Sequence, residues 1–246
     1  FILFNGFGSY FFYTTNLVYP YLTEEDQNNW SEKYETQFKK YNNLLQPTIV
    51  SVKRKVDLFP EENRYEVKGT YELINNSEKS IDSLLLYIDR NSKLTSVEIP
   101  NSKNLNDVSS FHHYWYRLEK PLQPKQKMKM NFSFESSWSP FKGHTAFNSI
   151  IENGSFMRIS RYFPLFGYQE SNEISSKKER AKRHLKPQAP LKKLEDKSEI
   201  KYDFVDYDAV VSTSKNQTAI GVGDLIENWT KDNRNYFHYK SNGKIP

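Results

Sequence analysis

The chain has no cysteine among its 246 residues, which excludes disulfides, Cys-based zinc sites and thiol nucleophiles. Glycine is scarce, at 9 residues, and that argues against phosphate-cradling loops. No P-loop, no Gly-x-Ser-x-Gly elbow and no His-Glu-x-x-His helix occurs in the sequence, so the common short motifs for phosphoryl transfer, serine hydrolysis and helical zinc binding are all missing. Charge is absent from the first 23 residues, and Glu24 is the first carboxylate. Asn5, Gly6, Gly8, Asn16 and Pro20 interrupt that stretch, which makes it a poor complete membrane span. It also lacks the basic start of a signal peptide. Tyr10, Phe11, Phe12, Tyr13, Tyr19 and Tyr21 instead form a belt of the kind found where a span leaves a bilayer. The competing reading is a greasy segment packed on the body of the protein.

What the chain does have is aromatic residues, 17 Phe and 17 Tyr, which suit pleated, half-buried surfaces. Its length supports a sizeable core. The net charge of +5 is unevenly placed. Residues 177–193 hold eight Lys or Arg against one Glu, a net of +7, so the remainder sums to −2. A nucleic-acid binder would spread its basic residues over a folded face; here one loop carries the excess, and nucleic acid is not expected as a partner. The start at Phe1 rather than Met reads as a piece cut from a longer protein.

Periodicity places one amphipathic helix near the N-terminus, at about 23–45. Thr23 is a good N-cap, with Glu24, Glu25 and Asp26 in the first turn. Trp30, Tyr34, Phe38, Tyr41 and Leu45 follow at helical spacing, and Pro47 stops the helix. Beyond it the period changes to two. Val50, Val52, Val56 and Leu58 alternate with Ser51, Lys53, Lys55 and Asp57. Tyr65, Val67, Gly69, Tyr71 and Leu73 form a return strand, Ser83 to Ile88 a more fully buried one, and Met128, Met130, Phe132 and Phe134 the clearest alternation. Strands resume with Tyr202, Phe204, Tyr207 and Val210-Val211, then at Ala219 to Val222 and Tyr236 to Tyr239. The fold class expected is mainly β, an antiparallel β-sandwich or saddle over 47–246. Residues 1–22 form an aromatic membrane-proximal segment and 23–46 the helix. A basic loop or short exposed helix lies near 170–198.

Candidate reactive groups are few. His112 and His113 are adjacent and on a strand would point to opposite faces, so they do not share an ion. His144, His184 and His238 have no ligand-type partner at short spacing. Asp203, Asp206 and Asp208 read as solvated strand-edge carboxylates. No catalytic residue and no metal ligand is assigned. The run Lys177, Lys178, Arg180, Lys182 and Arg183 could touch an anionic surface, although such runs are more often solvated faces. The aromatic stretch Phe156 to Tyr168 could form a groove for peptide or glycan, an extracytoplasmic binding module being the alternative function.

The order of elements resembles the N-terminal domain of the aminopeptidase N family of zinc metallopeptidases, in particular the bacterial branch in which the peptidase region follows the membrane spans of an ABC-transporter-type permease. The residues carrying it are Phe12-Tyr13-Thr14-Thr15-Asn16, Tyr21-Leu22-Thr23, the helix into Gln46-Pro47, and Val56-Asp57-Leu58-Phe59-Pro60-Glu61. Tyr65-Glu66-Val67-Lys68-Gly69-Thr70-Tyr71, Arg161-Tyr162-Phe163-Pro164-Leu165-Phe166-Gly167-Tyr168-Gln169, Asn228-Trp229 and Arg234-Asn235-Tyr236-Phe237-His238-Tyr239 continue it along almost the whole chain.

That resemblance implies a non-catalytic scaffold or docking domain that packs against a catalytic domain following in the same polypeptide. Zinc belongs to that following domain and no cofactor to this chain. Membrane spans lie upstream, and the soluble part lies on the extracytoplasmic side of the cell membrane. Relatives often hold the substrate's free amine with one polar residue of this domain. Glu152 and Asn153 occupy that neighbourhood without matching the family pattern, and a Glu beside Asn-Gly is ordinarily a turn.

Overall fold

The computed structural model describes residues 2–19, 22–90, 92–108, 111–137, 150, 152, 154–156, 163–188 and 203–246. Its first element was not anticipated: α1 (Ile2–Tyr13) is a helix that runs into a π-helical turn at Thr14–Val18. The three consecutive polar residues of that turn satisfy themselves. Thr14 Oγ1, Thr15 Oγ1 and Asn16 Nδ2 donate to the carbonyls of Tyr10, Phe11 and Phe12 at 2.8, 2.8 and 2.9 Å. No residue of α1 is buried.

Thr23 opens α2 (Glu24–Phe38) with a reciprocal cap. Its hydroxyl accepts the Asp26 N–H at 3.1 Å, and the Asp26 carboxylate accepts the Thr23 N–H at 3.0 Å, which satisfies two otherwise orphaned donors. Trp30, Tyr34 and Phe38 stack down one side with successive ring centroids 5.5 Å apart. The helix is shorter than its pattern predicts. It tightens into a 3-10 turn at Lys39–Tyr41, and this turns Leu45 outward while Leu44 takes the packing position.

Among the described residues eleven strands form two sheets. The larger contains, in spatial order, β10 (Asp224–Lys231), β11 (Arg234–Lys240), β9 (Asp206–Ser214), β1 (Thr48–Phe59), β2 (Arg64–Ile74), β7 (Lys127–Ser137) and β4 (Lys93–Glu98). The smaller contains β5 (Ser102–Val108), β6 (His113–Leu122), β3 (Ile81–Tyr87) and β8 (Leu165–Phe166). Neither closes into a barrel. The mainly β sandwich expected from alternation is what forms. Among the described strands every pair is antiparallel except β1 with β9, which run parallel.

The inward set is the one the alternation predicts: Val52 and Val56 of β1, Tyr65, Val67, Tyr71 and Leu73 of β2, and Met130, Phe132 and Phe134 of β7. They meet Leu84, Leu86, Tyr116 and Leu118 of the smaller sheet. The smaller sheet's other face presents Leu85, His113 and Trp115 to α2, where Tyr34, Phe38, Phe111 and Tyr168 complete a second cluster. Covered on both faces, β3 has alternation in neither, which explains its continuous apolar run.

The region Ala219 to Val222, read as a strand, is instead an extended cover lying on the Tyr239 ring. A Cβ at Gly221 would stand 2.7 Å from that ring. Gly223, at φ +95°, then turns the chain into β10. The β10–β11 hairpin closes through Asp232 and Asn233 at φ 49° and 60°, the left-handed pair that suits strand twist.

Candidate functional site

The residues that sequence reasoning singled out do not converge. His113 is fully buried, its ring centroid 4.7 Å from that of Phe38, 4.9 Å from Tyr87 and 5.4 Å from Tyr34. Its Nδ1 donates to the Phe111 carbonyl at 2.8 Å, and burial pushes the imidazole below its ordinary pKa. His112 adopts a left-handed φ of 56°, so the neighbouring imidazoles diverge. His238 lies elsewhere, on the outer face of the larger sheet, with Nε2 2.8 Å from Asp208 Oδ1 and Nδ1 3.5 Å from Glu227 Oε1. Among the described residues no group of three or more His, Asp or Glu is placed to hold a metal ion. His144 lies outside them.

The carboxylates of β9 are not at a strand edge, because β9 sits between β1 and β11; that expectation is corrected. Asp208 faces His238, and Asp203 accepts the Ile49 N–H at 2.7 Å, with burial raising its carboxyl pKa. Glu152 is exposed, and its carbonyl accepts the Gln217 side-chain amide. Asn153 lies outside the described residues.

The basic run is reassigned in part. It forms α3 (Lys177–Lys182), capped by Ser176, and Lys177, Lys178 and Lys182 are exposed. Arg180, however, is only 2% exposed. Its Nη1 and Nη2 donate to Glu35 at 2.8 and 2.7 Å, and Nη1 also donates to the Ile174 carbonyl at 2.9 Å. The Glu35 carboxylate, with burial opposing it, holds the guanidinium pKa above its ordinary value. Arg183 reaches Glu32 at 2.5 Å and Glu25 at 2.7 Å. Neither arginine is available to an external anion: both fasten α3 to α2. Lys39 and Tyr168 join the same network through Glu173 at 2.7 and 3.0 Å.

Among the described residues, the later part of the aromatic stretch is packed inward rather than lining a groove. Phe163 and Tyr168 are buried, and Phe166 packs against the core. Tyr71 Oη donates to the Pro164 carbonyl at 3.1 Å, tying this stretch to β2. Phe156 is exposed, and residues 157–162 lie outside those described.

Three placements escaped the sequence reading. Gln46 bridges to the smaller sheet, accepting the Leu85 N–H at 2.9 Å and donating to the Ser83 carbonyl at 3.2 Å. Arg54 lies between the rings of Phe163 and Tyr207, 4.2 and 4.1 Å from their centroids. It donates to the Tyr207 hydroxyl, and burial lowers its pKa. The signal was legible, since Arg54 falls between Val52 and Val56 on the inward face of β1. Glu35 directly follows Tyr34 of the aromatic stripe, where a carboxylate needs a partner.

Among the described residues, large apolar side chains are exposed on α1 and, near one end of the larger sheet, at Phe204, Ile220, Val222, Leu225 and Ile226.

A mixed seven-stranded sheet packed on a four-stranded one, with an N-terminal helical layer outside, defines the class: the fold resembles the N-terminal region of M1 zinc aminopeptidases. One solved structure of that kind is an M1 zinc metallopeptidase mutant from Deinococcus radiodurans bound to a Tyr-Ser-Ala substrate. The match has TM-score 0.52 and 9% identity, over 81% of this chain and 40% of that one. Another is Legionella pneumophila aminopeptidase A in complex with aspartic acid, with TM-score 0.50 and 12% identity, over 82% of this chain and 20% of that one. No protein-family model and no curated protein matches the sequence. The chain thus spans well under half the length of the peptidases whose fold it shares.

Proposed function

We propose that this chain is the non-catalytic N-terminal scaffold and docking domain of a membrane-associated zinc aminopeptidase-like protein. One observation carries the reading: the match over 81% of this chain to only 40% of an M1 zinc metallopeptidase chain. The zinc and the reacting groups belong to the domain that follows, and this sandwich forms a wall beside it. Permease-type spans upstream hold the protein in the membrane. In support, α1 has no charge on any side and no buried residue, the profile of a helix surrounded by lipid. Extracytoplasmic placement is favoured by the charges that follow α1. Glu24, Glu25, Asp26 and Glu32 all precede the first basic residue, Lys33, the reverse of the basic flank typical of a cytoplasmic loop.

The purified chain is expected to fold, to bind no stoichiometric zinc by metal analysis and to hydrolyse no aminoacyl reporter. One equivalent of zinc together with chelator-sensitive hydrolysis would overturn the reading.

A further inference from the structure

Two rows of side chains run across the strands on the outer face of the larger sheet. On β1, Lys53 and Lys55 alternate with the inward Val52 and Val56, so both point away from the core. In the first row Lys55 stands directly opposite Lys68 of β2, followed by Ser133 of β7 and Ser96 of β4. In the second, Lys53 leads through Thr70 and Asn131 to Glu98 on the same strands. The three lysines are exposed, and a shallow depression lies over both rows.

Like charges placed directly opposite on neighbouring strands destabilise a sheet, and here the repulsion is only partly relieved. Lys55 pairs with Asp57 at 2.9 Å. Among the described residues, however, no carboxylate lies within ion-pair distance of Lys53 or Lys68, whereas Lys93 and Lys127 on the same face reach Glu135 and Glu72 at 2.8 and 2.5 Å. The neutral groups are already oriented. Thr70 Oγ1 donates to Asn131 Oδ1 at 2.8 Å, and Asn131 Nδ2 donates to Glu98 Oε2 at 3.3 Å. The Ser96 and Ser133 hydroxyls are 2.7 Å apart. An apolar shoulder stands beside the cations: Lys55 Nζ is 5.7 Å from the Tyr236 ring centroid, and Tyr236 stacks on Trp229 at 5.2 Å.

We infer that this face binds an acidic polysaccharide, with Lys53, Lys55 and Lys68 taking its carboxylates and Asn131, Ser133 and Ser96 its hydroxyls. The inference is independent of the scaffold reading. Charge complementarity sets the sign of the ligand. Side-chain hydroxyls and amides both donate and accept, as sugar hydroxyls do, and the C–H face of a sugar ring suits the aromatic shoulder. A sugar unit repeats at close to the strand spacing of about 4.8 Å. A chain laid across β1, β2, β7 and β4 therefore offers one unit to each strand. Nucleic acid fits less well. Asp208, in register with Lys53, and Glu98 stand at the two ends of the second row, where they would repel a continuous phosphate backbone. A uronate chain turns hydroxyls to those carboxylates.

The test is calorimetric titration of this chain with oligogalacturonates of increasing length. Affinity should rise with each unit up to about four, one per strand, and then level off. Methyl esterification keeps the hydroxyls and removes the charge, and it should weaken binding about tenfold or more. Lys68→Glu should do the same while the melting temperature holds or rises, because it sets opposite charges across the strand pair. Lys68→Gln, which creates no new pair, should show the same loss of binding. Lys177→Ala, Lys178→Ala and Lys182→Ala together should leave the affinity unchanged, and a loss there would move the contact to α3. No binding of the acidic oligomers, or full binding by both Lys68 variants, would overturn the inference. So would equal affinity for tripolyphosphate or single-stranded DNA, since the face would then be a general anion surface.

Discussion

The guanidinium of Arg180 and the carboxylate of Glu35, 145 residues apart in sequence, meet through two parallel hydrogen bonds at 2.8 and 2.7 Å, with both side chains almost fully buried. The pair joins α3 to α2. Removing one partner strands the other charge without water. Glu35→Ala is expected to cost about 3–5 kcal/mol. Replacing both by apolar residues, Glu35→Leu with Arg180→Met, should recover most of that loss. Urea unfolding followed by tryptophan fluorescence measures both. A single variant as stable as the parent would show that the pair does not hold the helical layer.

His113 gives the protein an acid limit. Burial favours the neutral imidazole in the fold, while in the unfolded chain it titrates near its ordinary value of about 6.5. Below that pH the unfolded state binds a proton that the folded state refuses. Stability therefore falls as pH drops, by up to about 1.4 kcal/mol per pH unit from this group. At and above neutrality both states are unprotonated here and the effect vanishes. His113→Phe should flatten the profile between pH 6.5 and 5 when unfolding midpoints are compared. An unchanged slope would assign the acid limit to other groups.

Gly69 makes room for an aromatic ring. A Cβ there would sit 2.3 Å from the tip of the Phe132 ring, its cross-strand neighbour. Gly69→Ala is expected to destabilise by about 1–3 kcal/mol through overpacking. Combining it with Phe132→Leu should soften the added loss. The double-mutant coupling, read from melting temperatures, checks whether the ring is the cause.

The chain should float with zwitterionic vesicles, with little dependence on salt, because α1 offers apolar surface rather than charge. Phe7→Arg with Phe11→Arg should abolish flotation. Lys177→Ala, Lys178→Ala and Lys182→Ala together should leave it unchanged. The opposite pattern would transfer the membrane contact to α3.

Much of the sandwich was legible because its longest strands have one wet face. On β7, Lys127, Lys129 and Asn131 alternate with Met128, Met130 and Phe132, and nothing but a strand buries that set. On β4 and β5 the pattern fails. Both are interrupted by bulges, at Leu94/Ser96 and Asn104/Asn106, which break the period of two. The helix boundary was misjudged for a local reason. Tyr41 continues the stripe, yet the backbone had already tightened at Lys39. In sequence Arg180 and Arg183 belong to a basic run open to an anionic surface or to solvent, because their carboxylate partners lie on α2 and composition contains no record of which residues meet across such distances.

The parallel pairing of β1 with β9 sets when this sheet can form. Ser212 donates to Asp57 across it from 155 residues away, whereas β1 and β2 are joined by a tight turn at Pro60–Glu62. During synthesis the β1–β2 hairpin is therefore complete long before its other flank exists. Until β9 emerges, one side of β1 stays open, with Val52 and Val56 beside it. Closure across so long a span is slow, and an open central strand can pair with the wrong neighbour. The step that commits this chain to its native sheet waits until β9 has been made.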